Sequence, residues 1–553
     1  MDPVETLFRR LEQLNEIGAA LSQEKNLDGL LEKILIAAKT ITQADGGTLY
    51  LRREDDKLYF AIMRTDSLGI ALGGTTGKPV NFYPIQLRDN DGKPNHHMVA
   101  AYAALTGKTV NISDAYTEAG FDFSGTRNFD KKSGYRSKSF LTVPMRNHEG
   151  IIIGVLQLIN RVDPASREIV AFSEADQRLA ESLASQAAIA ITNRQLIDQL
   201  EKLFESFIQL INTAIDDKSP YTGGHCQRVP ELTMMLAEAV NETREGPLAQ
   251  FTMSDEDRYA LRIAGLLHDC GKVTTPVHVV DKATKLQTLF DRITLLDTRL
   301  EVLKRDARVR ALERKLADAA EPLVDAAARR ERAAEIDRSL GEELAQYDHD
   351  RDFLRNCNMG AEAMSRDAQE RVRKIGTGYR WVAPSGQAEG FLSEDEMENL
   401  NIARGTLTAA EREIINRHIV ATIKMLEALP WPRHLKNVPE YAGGHHERMD
   451  GKGYPRGLTR DQMSVQARVM GIADIFEALT ARDRPYKAGK TLSESLAILG
   501  RFKLEGHIDP DLFEIFIRRK VYLRYAEKFL EKAQIDHVEE AKIPGYSTDP
   551  VAH

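Results

Sequence analysis

Gly443-Gly444-His445-His446-Glu447-Arg448-Met449-Asp450-Gly451-Lys452-Gly453-Tyr454-Pro455 is the stretch on which the reading of this chain turns. It is a poor core sequence, because two buried imidazoles need polar partners and the glycines raise the entropy cost of ordering the backbone. A loop that offers histidines to a ligand fits it better. A purely structural loop is the competing reading.

Working outward, Leu266-Leu267-His268-Asp269-Cys270-Gly271-Lys272 follows the apolar helical run Tyr259-Ala260-Leu261-Arg262-Ile263-Ala264-Gly265. A His-Asp dipeptide means nothing alone, but beside other ligands its imidazole can grip one cation while the carboxylate bridges two, its charge offsetting their repulsion. Lys272, one helical turn after His268, is expected on the same side, within reach of a phosphate oxygen. Asp474 sits as a lone carboxylate in Arg468-Val469-Met470-Gly471-Ile472-Ala473-Asp474-Ile475-Phe476, where burial demands a cation or strong donors. His225, after Tyr221-Thr222-Gly223-Gly224, and His418, in the helical run 411–426, carry little weight singly.

The surrounding chain is that of a multidomain α+β protein. At 553 residues it exceeds one hydrophobic core, and its 42% hydrophobic, 29% charged composition is globular. A net charge of -8 excludes general attraction to a nucleic acid polymer or an anionic membrane. Three cysteines, Cys226, Cys270 and Cys357, make no disulfide framework, and no apolar run is long enough to span a bilayer, so a cytoplasmic protein without membrane insertion is expected.

The first forty residues carry apolar positions at helical spacing, predicting two amphipathic helices, and the β-rich runs 47–51, 58–62, 140–145 and 151–160 follow. From 173 to 217 the pattern is helical, with Leu196, Leu200, Leu203, Phe207, Leu210 and Ala214 alternating at four and three. That seam is either one helix packing on its own domain or a parallel coiled coil joining two copies. The block 287–400 interrupts an otherwise helical C-terminal half; within it 308–344 is rich in Ala, Arg, Glu and Leu and predicts solvated helices, an antiparallel hairpin among the arrangements. Residues 544–553 read as a loose tail.

Taken in order, Tyr221 to His225, His268 to Lys272, His418, His445 to Pro455, Asp474 and Arg484-Pro485-Tyr486-Lys487 resemble the HD-GYP family over residues 205–520, the block 287–400 excepted. The resemblance implies an all-α bundle with a helical insertion, holding a binuclear iron or manganese centre. It implies His225, His268, Asp269, His418, His445, His446 and Asp474 as metal ligands, with Asp269 bridging, and Lys272, Arg484, Lys487 and Tyr454 near the substrate. It further implies hydrolysis of cyclic di-GMP, with water attacking phosphorus in line and Asp269 and Lys272 at the reacting centre, to pGpG or GMP. Some members take cyclic GMP-AMP, and a diguanylate cyclase is an expected partner of the Gly453-Tyr454-Pro455 loop. Asp216 and Ser219 depart from the residues many members carry, which favours two metals over three.

Residues 134–145 and 153–161, with Asn160-Arg161, Phe172 and Asp176-Gln177, resemble GAF domains of cyclic-nucleotide phosphodiesterases. Arg161 is expected to pair with Asp176, but Gln177 replaces the acid, so a small ligand in this module and a purely structural dimerising role both stay open. A thioether-linked bilin is not expected, since the module has no cysteine. The expected division is a GAF sensor with N-terminal helices over 1–195, a connecting helix over 196–217, the phosphodiesterase over 218–520, and a C-terminal helix and tail over 521–553. The rival readings are a non-catalytic cyclic dinucleotide receptor, a cyclic GMP-AMP-selective enzyme, and a phosphohydrolase of nucleotide monophosphates or triphosphates.

Overall fold

The computed structural model describes residues 12, 14–21, 23–24, 26–89, 91–218, 224–321, 325–360, 363–482 and 489–547. The chain forms two compact units, 1–205 and 206–553.

The first unit is an antiparallel sheet clad with helices on both faces. Its strands are β1 (Ala44–Arg52), β2 (Lys57–Thr65), β3 (Ile70–Gly73), β4 (Ile85–Gln86), β5 (Val110–Ile112), β6 (Phe140–Arg146), β7 (Ile152–Val162) and β8 (Ile169–Val170), in the order β3-β2-β1-β7-β6-β5, with β4 on β2 and β8 on β7. Alternation decides which side each residue covers. Leu49, Leu156 and Leu158 face helix Leu27–Thr42 and the Leu183–Ile191 stretch of helix Glu174–Lys218, while Tyr50 and Val155 face helix Val99–Thr106. Helix Leu27–Thr42 begins where Asn26 accepts from the N–H groups of Asp28 and Gly29, and buries Leu30, Leu31, Ile34, Leu35, Ala38 and Ile41 on one stripe. Each such leucine or isoleucine contributes about 1.5–3 kcal/mol. The expected Arg161–Asp176 pair is present at 2.8 Å, and Gln177 turns to Asn111 and Glu181. Of the two N-terminal helices expected, 14–21 and Leu27–Thr42 are helical; residues 1–11 lie outside the described residues.

Among the described residues the second unit is helical apart from one two-stranded hairpin. Helices His225–Asn241, Asp255–Leu267, Ala409–Glu427, Val438–Gly443, Val465–Thr480, Leu492–Leu504, Pro510–Arg518 and Val521–Phe529 make the bundle. Reciprocal side-chain caps start several of them: Ser254 with Asp257, Thr408 with Glu411 and Thr491 with Glu494.

The interrupting block has a core of its own, with Leu296, Leu300, Tyr347, Leu354, Val372 and Phe391 at its centre. Helices Ile293–Ala320 and Ala326–Asn358 lie antiparallel, fixed by Asp297–Arg355, Lys304–Asp348, Arg310–Glu343 and Lys315–Asp337, whose partners run in opposite directions along the chain. Helix Arg366–Gly378, a hairpin of Arg380–Val382 with Ala388–Gly390, and helix Glu394–Leu400 complete it. Its ends are pinned together, because Lys285 donates to Leu400 O (3.1 Å) and the buried Lys282 ammonium bonds both Asn399 and Glu411. A block tied off in this way inserts without parting the bundle helices.

The loose tail expected from residue 544 needs correction over its first residues. Gly500 packs against the Pro544 carbonyl, which a Cβ would approach to 2.2 Å, and Lys503 donates to Gly545 O at 2.5 Å. The absent side chain at Gly500 makes the groove.

Candidate metal centre

Five bundle segments carry the histidines and acids to one point. Helix Asp255–Leu267 ends at His268, and Asp269 starts the 3-10 turn Cys270–Thr274. That turn lies against helix Ala409–Glu427 at Gly271, where an added Cβ would stand 2.0 Å from His418 O and 2.5 Å from Thr422 N. Only glycine permits the approach that sets Asp269 beside His418. His225 opens its helix behind Gly224, whose φ of 85° is left-handed. His445 and His446 follow helix Val438–Gly443, and Asp474 lies on Val465–Thr480.

Hydrogen bonds fix the imidazoles. Nδ1 of His268, His418 and His445 faces the carbonyls of Gly265 (2.7 Å), Ile415 (2.5 Å) and Ala442 (2.6 Å). A carbonyl only accepts, so each Nδ1 carries a proton, and the neutral ring then presents Nε2 as its lone pair. The Nε2 atoms converge. His268 Nε2 lies 3.3 Å from His225 Nε2, His446 Nε2 lies 3.2 Å from His418 Nε2, and His445 Nε2 is buried with no hydrogen-bond partner among the described residues. Asp269 spans the set, with Oδ2 3.1 Å from His225 and 3.3 Å from His268, and Oδ1 3.2 Å from His418. Asp474 Oδ1 is 3.3 Å from His225 Nε2 and 3.8 Å from His268 Nε2. Two groups result, His225–His268–Asp269 and His418–His445–His446, each with donor atoms within 4.8 Å of one another.

Such a buried set fits divalent cations. Neutral imidazoles gathered on buried carboxylates are the ligand set such ions take, and the buried His445 Nε2 has no donor among the described residues. Electrostatics agree. Burial and the neighbouring His268 bring His445 down to about 4, and burial with His445 holds His446 well below the imidazole range, so both are neutral at pH 7. Burial opposes charge on His225 as well, but Glu477, Asp269 and Asp474 outweigh it and raise its pKa well above the ordinary value. Asp269 and Asp474 resist the upward push of burial and stay depressed, Asp269 through Lys272 and His268, Asp474 through His225 and His445.

Lys272 departs from its expected setting. It stands on the 3-10 turn rather than one α-turn beyond His268, and its ammonium lies 2.5 Å from Asp269 Oδ2, where Asp269 overcomes the cost of burial and raises its pKa. Tyr454 stacks on His446 with centroids 4.8 Å apart. Its loop is folded by Glu447, which accepts from the N–H groups of Arg456 (2.7 Å) and Leu458 (2.9 Å), and by Gly453, whose Cβ would meet Arg448 N at 2.3 Å. Arg484 and Lys487 lie outside the described residues, as do Tyr221, Thr222 and Gly223.

Asp474 is not the lone carboxylate of its helix. Glu477, one turn on and buried, accepts from His225 Nδ1 at 2.5 Å and from Arg228 Nε at 2.7 Å. It fixes the His225 ring and leaves Nε2 for the centre, as outer partners of metal-binding histidines do. Spacing held the clue, since Asp474 and Glu477 at i and i+3 share one face of a largely apolar helix.

The HD domain family matches residues 222–340 and, in a second form, 394–512; the GAF domain family matches 26–191. Among curated proteins, a 3'3'-cGAMP-specific phosphodiesterase of Vibrio cholerae is 39% identical over 109 residues, 20% of this chain and 23% of that protein. A cyclic di-GMP phosphodiesterase of Pseudomonas aeruginosa is 36% identical over 114 residues, 21% of this chain and 26% of that protein. A cyclic di-GMP phosphodiesterase of Thermotoga maritima is 28% identical over 182 residues, 30% of this chain and 48% of that protein. The chain thus spans less than half the length of each of these relatives. Sheet, bundle and family matches agree that this chain carries a GAF domain followed by a helical HD-domain region.

Proposed function

We propose that this chain is a metal-dependent phosphodiesterase that hydrolyses cyclic di-GMP to pGpG, GMP or both, with His225, His268, Asp269, His418, His445, His446 and Asp474 holding two divalent cations, iron or manganese. The observation that carries it is the convergence of imidazole lone pairs and two carboxylates on one buried point, with Asp269 reaching both histidine groups. Cations bound there lower the pKa of water and take up phosphoryl charge. Asp269 is held ionised by Lys272 and His268, and so meets the demand for a carboxylate between two positive centres. The Lys272 ammonium stands ready to turn from Asp269 to a non-bridging phosphate oxygen, where negative charge grows in the transition state. Tyr454, packed flat on His446, is the aromatic group that the loop sets beside the centre for the substrate.

The 3'3'-cGAMP-specific relative makes that hybrid dinucleotide the second substrate to assay. Dimerisation through helix Glu174–Lys218 belongs to the same proposal: Leu196, Leu200, Leu203, Phe207 and Leu210 are all exposed along one heptad seam, Leu200 by 64%. Such a coil gives the GAF domain a route for regulating hydrolysis. Among the described residues no helix is long and apolar enough to cross a membrane, and we take the site of action to be the cytoplasm. Protein purified without oxygen, analysed for metal and incubated with each dinucleotide, tests the proposal by chromatography of the products. Metal bound with neither substrate cleaved would favour a receptor.

A further inference from the structure

Lys218 closes helix Glu174–Lys218, and its ammonium donates to the backbone carbonyls of Lys272 (3.2 Å), Val273 (2.5 Å) and Thr275 (2.6 Å). An ammonium has three N–H groups, so the contact engages all of them. The acceptors cluster at the end of the 3-10 turn Cys270–Thr274, where a helical turn runs out of internal partners for its carbonyls and gathers partial negative charge. A lysine that merely finished its own helix would turn back to that helix's last carbonyls or into water. This one crosses to a segment more than fifty residues away.

The segment it reaches matters. The turn starts at Asp269 and carries Lys272, and two of its own bonds are Lys272 N–H to Asp269 O (2.9 Å) and Thr275 N–H to Lys272 O (3.1 Å). Lys272 O therefore receives both an internal N–H and the Lys218 ammonium. Two residues before Lys218, burial raises the pKa of the Asp216 carboxyl, and Gly224 and Cys226, on either side of His225, oppose that rise. The last turn of the long helix is thus tied through Lys218 to the turn that carries Lys272.

We propose that Lys218 is a positioning residue for hydrolysis: it holds the turn that aims Lys272, and makes the last turn of helix Glu174–Lys218 the place where displacement of that helix alters the rate. The proposal rests on the phosphodiesterase reading above. Lys272 is its intermediary, so the two lysines act as one unit and their losses do not multiply.

The test uses the full chain as wild type, Lys218→Met, Lys218→Arg, Lys272→Met and the double Met variant. Metal content, kcat and KM for the dinucleotide that the wild type cleaves, and amide hydrogen exchange over residues 269–276 are measured. Misplacing a reacting group by an ångström costs up to about a hundredfold, so Lys218→Met is expected to lower kcat roughly tenfold or more. Metal content and KM hold, exchange over 269–276 quickens, and Lys218→Arg restores most of both. In the Lys272→Met background the further loss from Lys218→Met shrinks to less than about twofold. Losses that multiply in the double variant, unchanged exchange, or metal lost from Lys218→Met would each overturn the proposal. Should Lys218→Met not fold, Lys218→Arg decides by the same readouts, near-wild-type exchange and kcat being expected and an arginine variant as slow as Lys272→Met overturning it. Failure of the wild type to cleave either dinucleotide sinks the phosphodiesterase reading instead, whereas unchanged exchange removes the tether even in an active enzyme.

Discussion

Replacing Glu477 by Gln keeps the shape of the side chain and removes the charge that steadies His225. The carboxylate accepts from His225 Nδ1 at 2.5 Å and from Arg228 Nε at 2.7 Å. Gln has one oxygen for these two donors, so its amide N–H must face one of them. A hydrogen bond to a charged group contributes about 1.5–3 kcal/mol, and losing one weakens the hold on His225 by that order. Outer-partner losses typically cost about 10- to 100-fold in metal affinity, which agrees in scale. Mn(II) affinity measured by competition with a chelator should fall by that factor, with far-UV circular dichroism unchanged. The effect should depend on pH as well. Metal uptake displaces the proton that His225 holds through its raised pKa, so wild-type affinity climbs with pH until that value is passed, while His445 and His446 have no proton to give up at neutral pH. Glu477→Gln removes the strongest of the influences that raise the His225 pKa, and the dependence should flatten. A folded Glu477→Gln protein that binds Mn(II) as tightly as wild type, with the same pH profile, would refute this reasoning.

His268→Ala with Asp269→Ala should abolish hydrolysis, and turnover retained in the purified double variant, measured by chromatography, would remove these residues from the reaction. Gly271→Ala puts a methyl group 2.0 Å from His418 O, so helix Ala409–Glu427 must retreat; metal content and Tm should both drop, and a wild-type melting curve would contradict the packing. Leu200→Asp with Leu203→Asp places charge on the exposed heptad seam and should convert a dimer to a monomer in sedimentation velocity. In metal-free protein the raised pKa of His225 adds stability that is full below about pH 6.5 and is lost as pH rises through the folded value, whereas the depressed Asp269 adds stability that is lost as pH falls below about 4. Thermal unfolding in chelator across pH should therefore decline on both sides.

The long strands β1, β2, β6 and β7 were legible because each holds a run of β-branched, aromatic and aliphatic residues within its nine, nine, seven and eleven residues. Strands such as Ile85–Gln86 and Ile169–Val170 were not, since two residues hold no period and the pairing partner selects them. At the centre, the motifs named the metal-facing residues because imidazoles and acids in glycine-rich or apolar settings are expensive without a partner. Glu477 and Arg228 escaped because each supports another side chain. The true setting of Lys272 was hidden by the change from α-helix to 3-10 turn at His268–Asp269, which no periodicity marks. Residues 308–344 announced helices, but their antiparallel pairing rests on ion pairs between distant positions, such as Arg310–Glu343 and Lys315–Asp337, among many charges of similar appearance.

The most direct test of the central claim is the metal content of anaerobically purified protein, taken together with chromatography of cyclic di-GMP after incubation with it. Two divalent ions per chain and conversion to pGpG or GMP are predicted, both lost in the His268→Ala, Asp269→Ala double variant. A wild-type chain that binds no metal, or binds it and leaves cyclic di-GMP and 3'3'-cGAMP intact, would contradict the account.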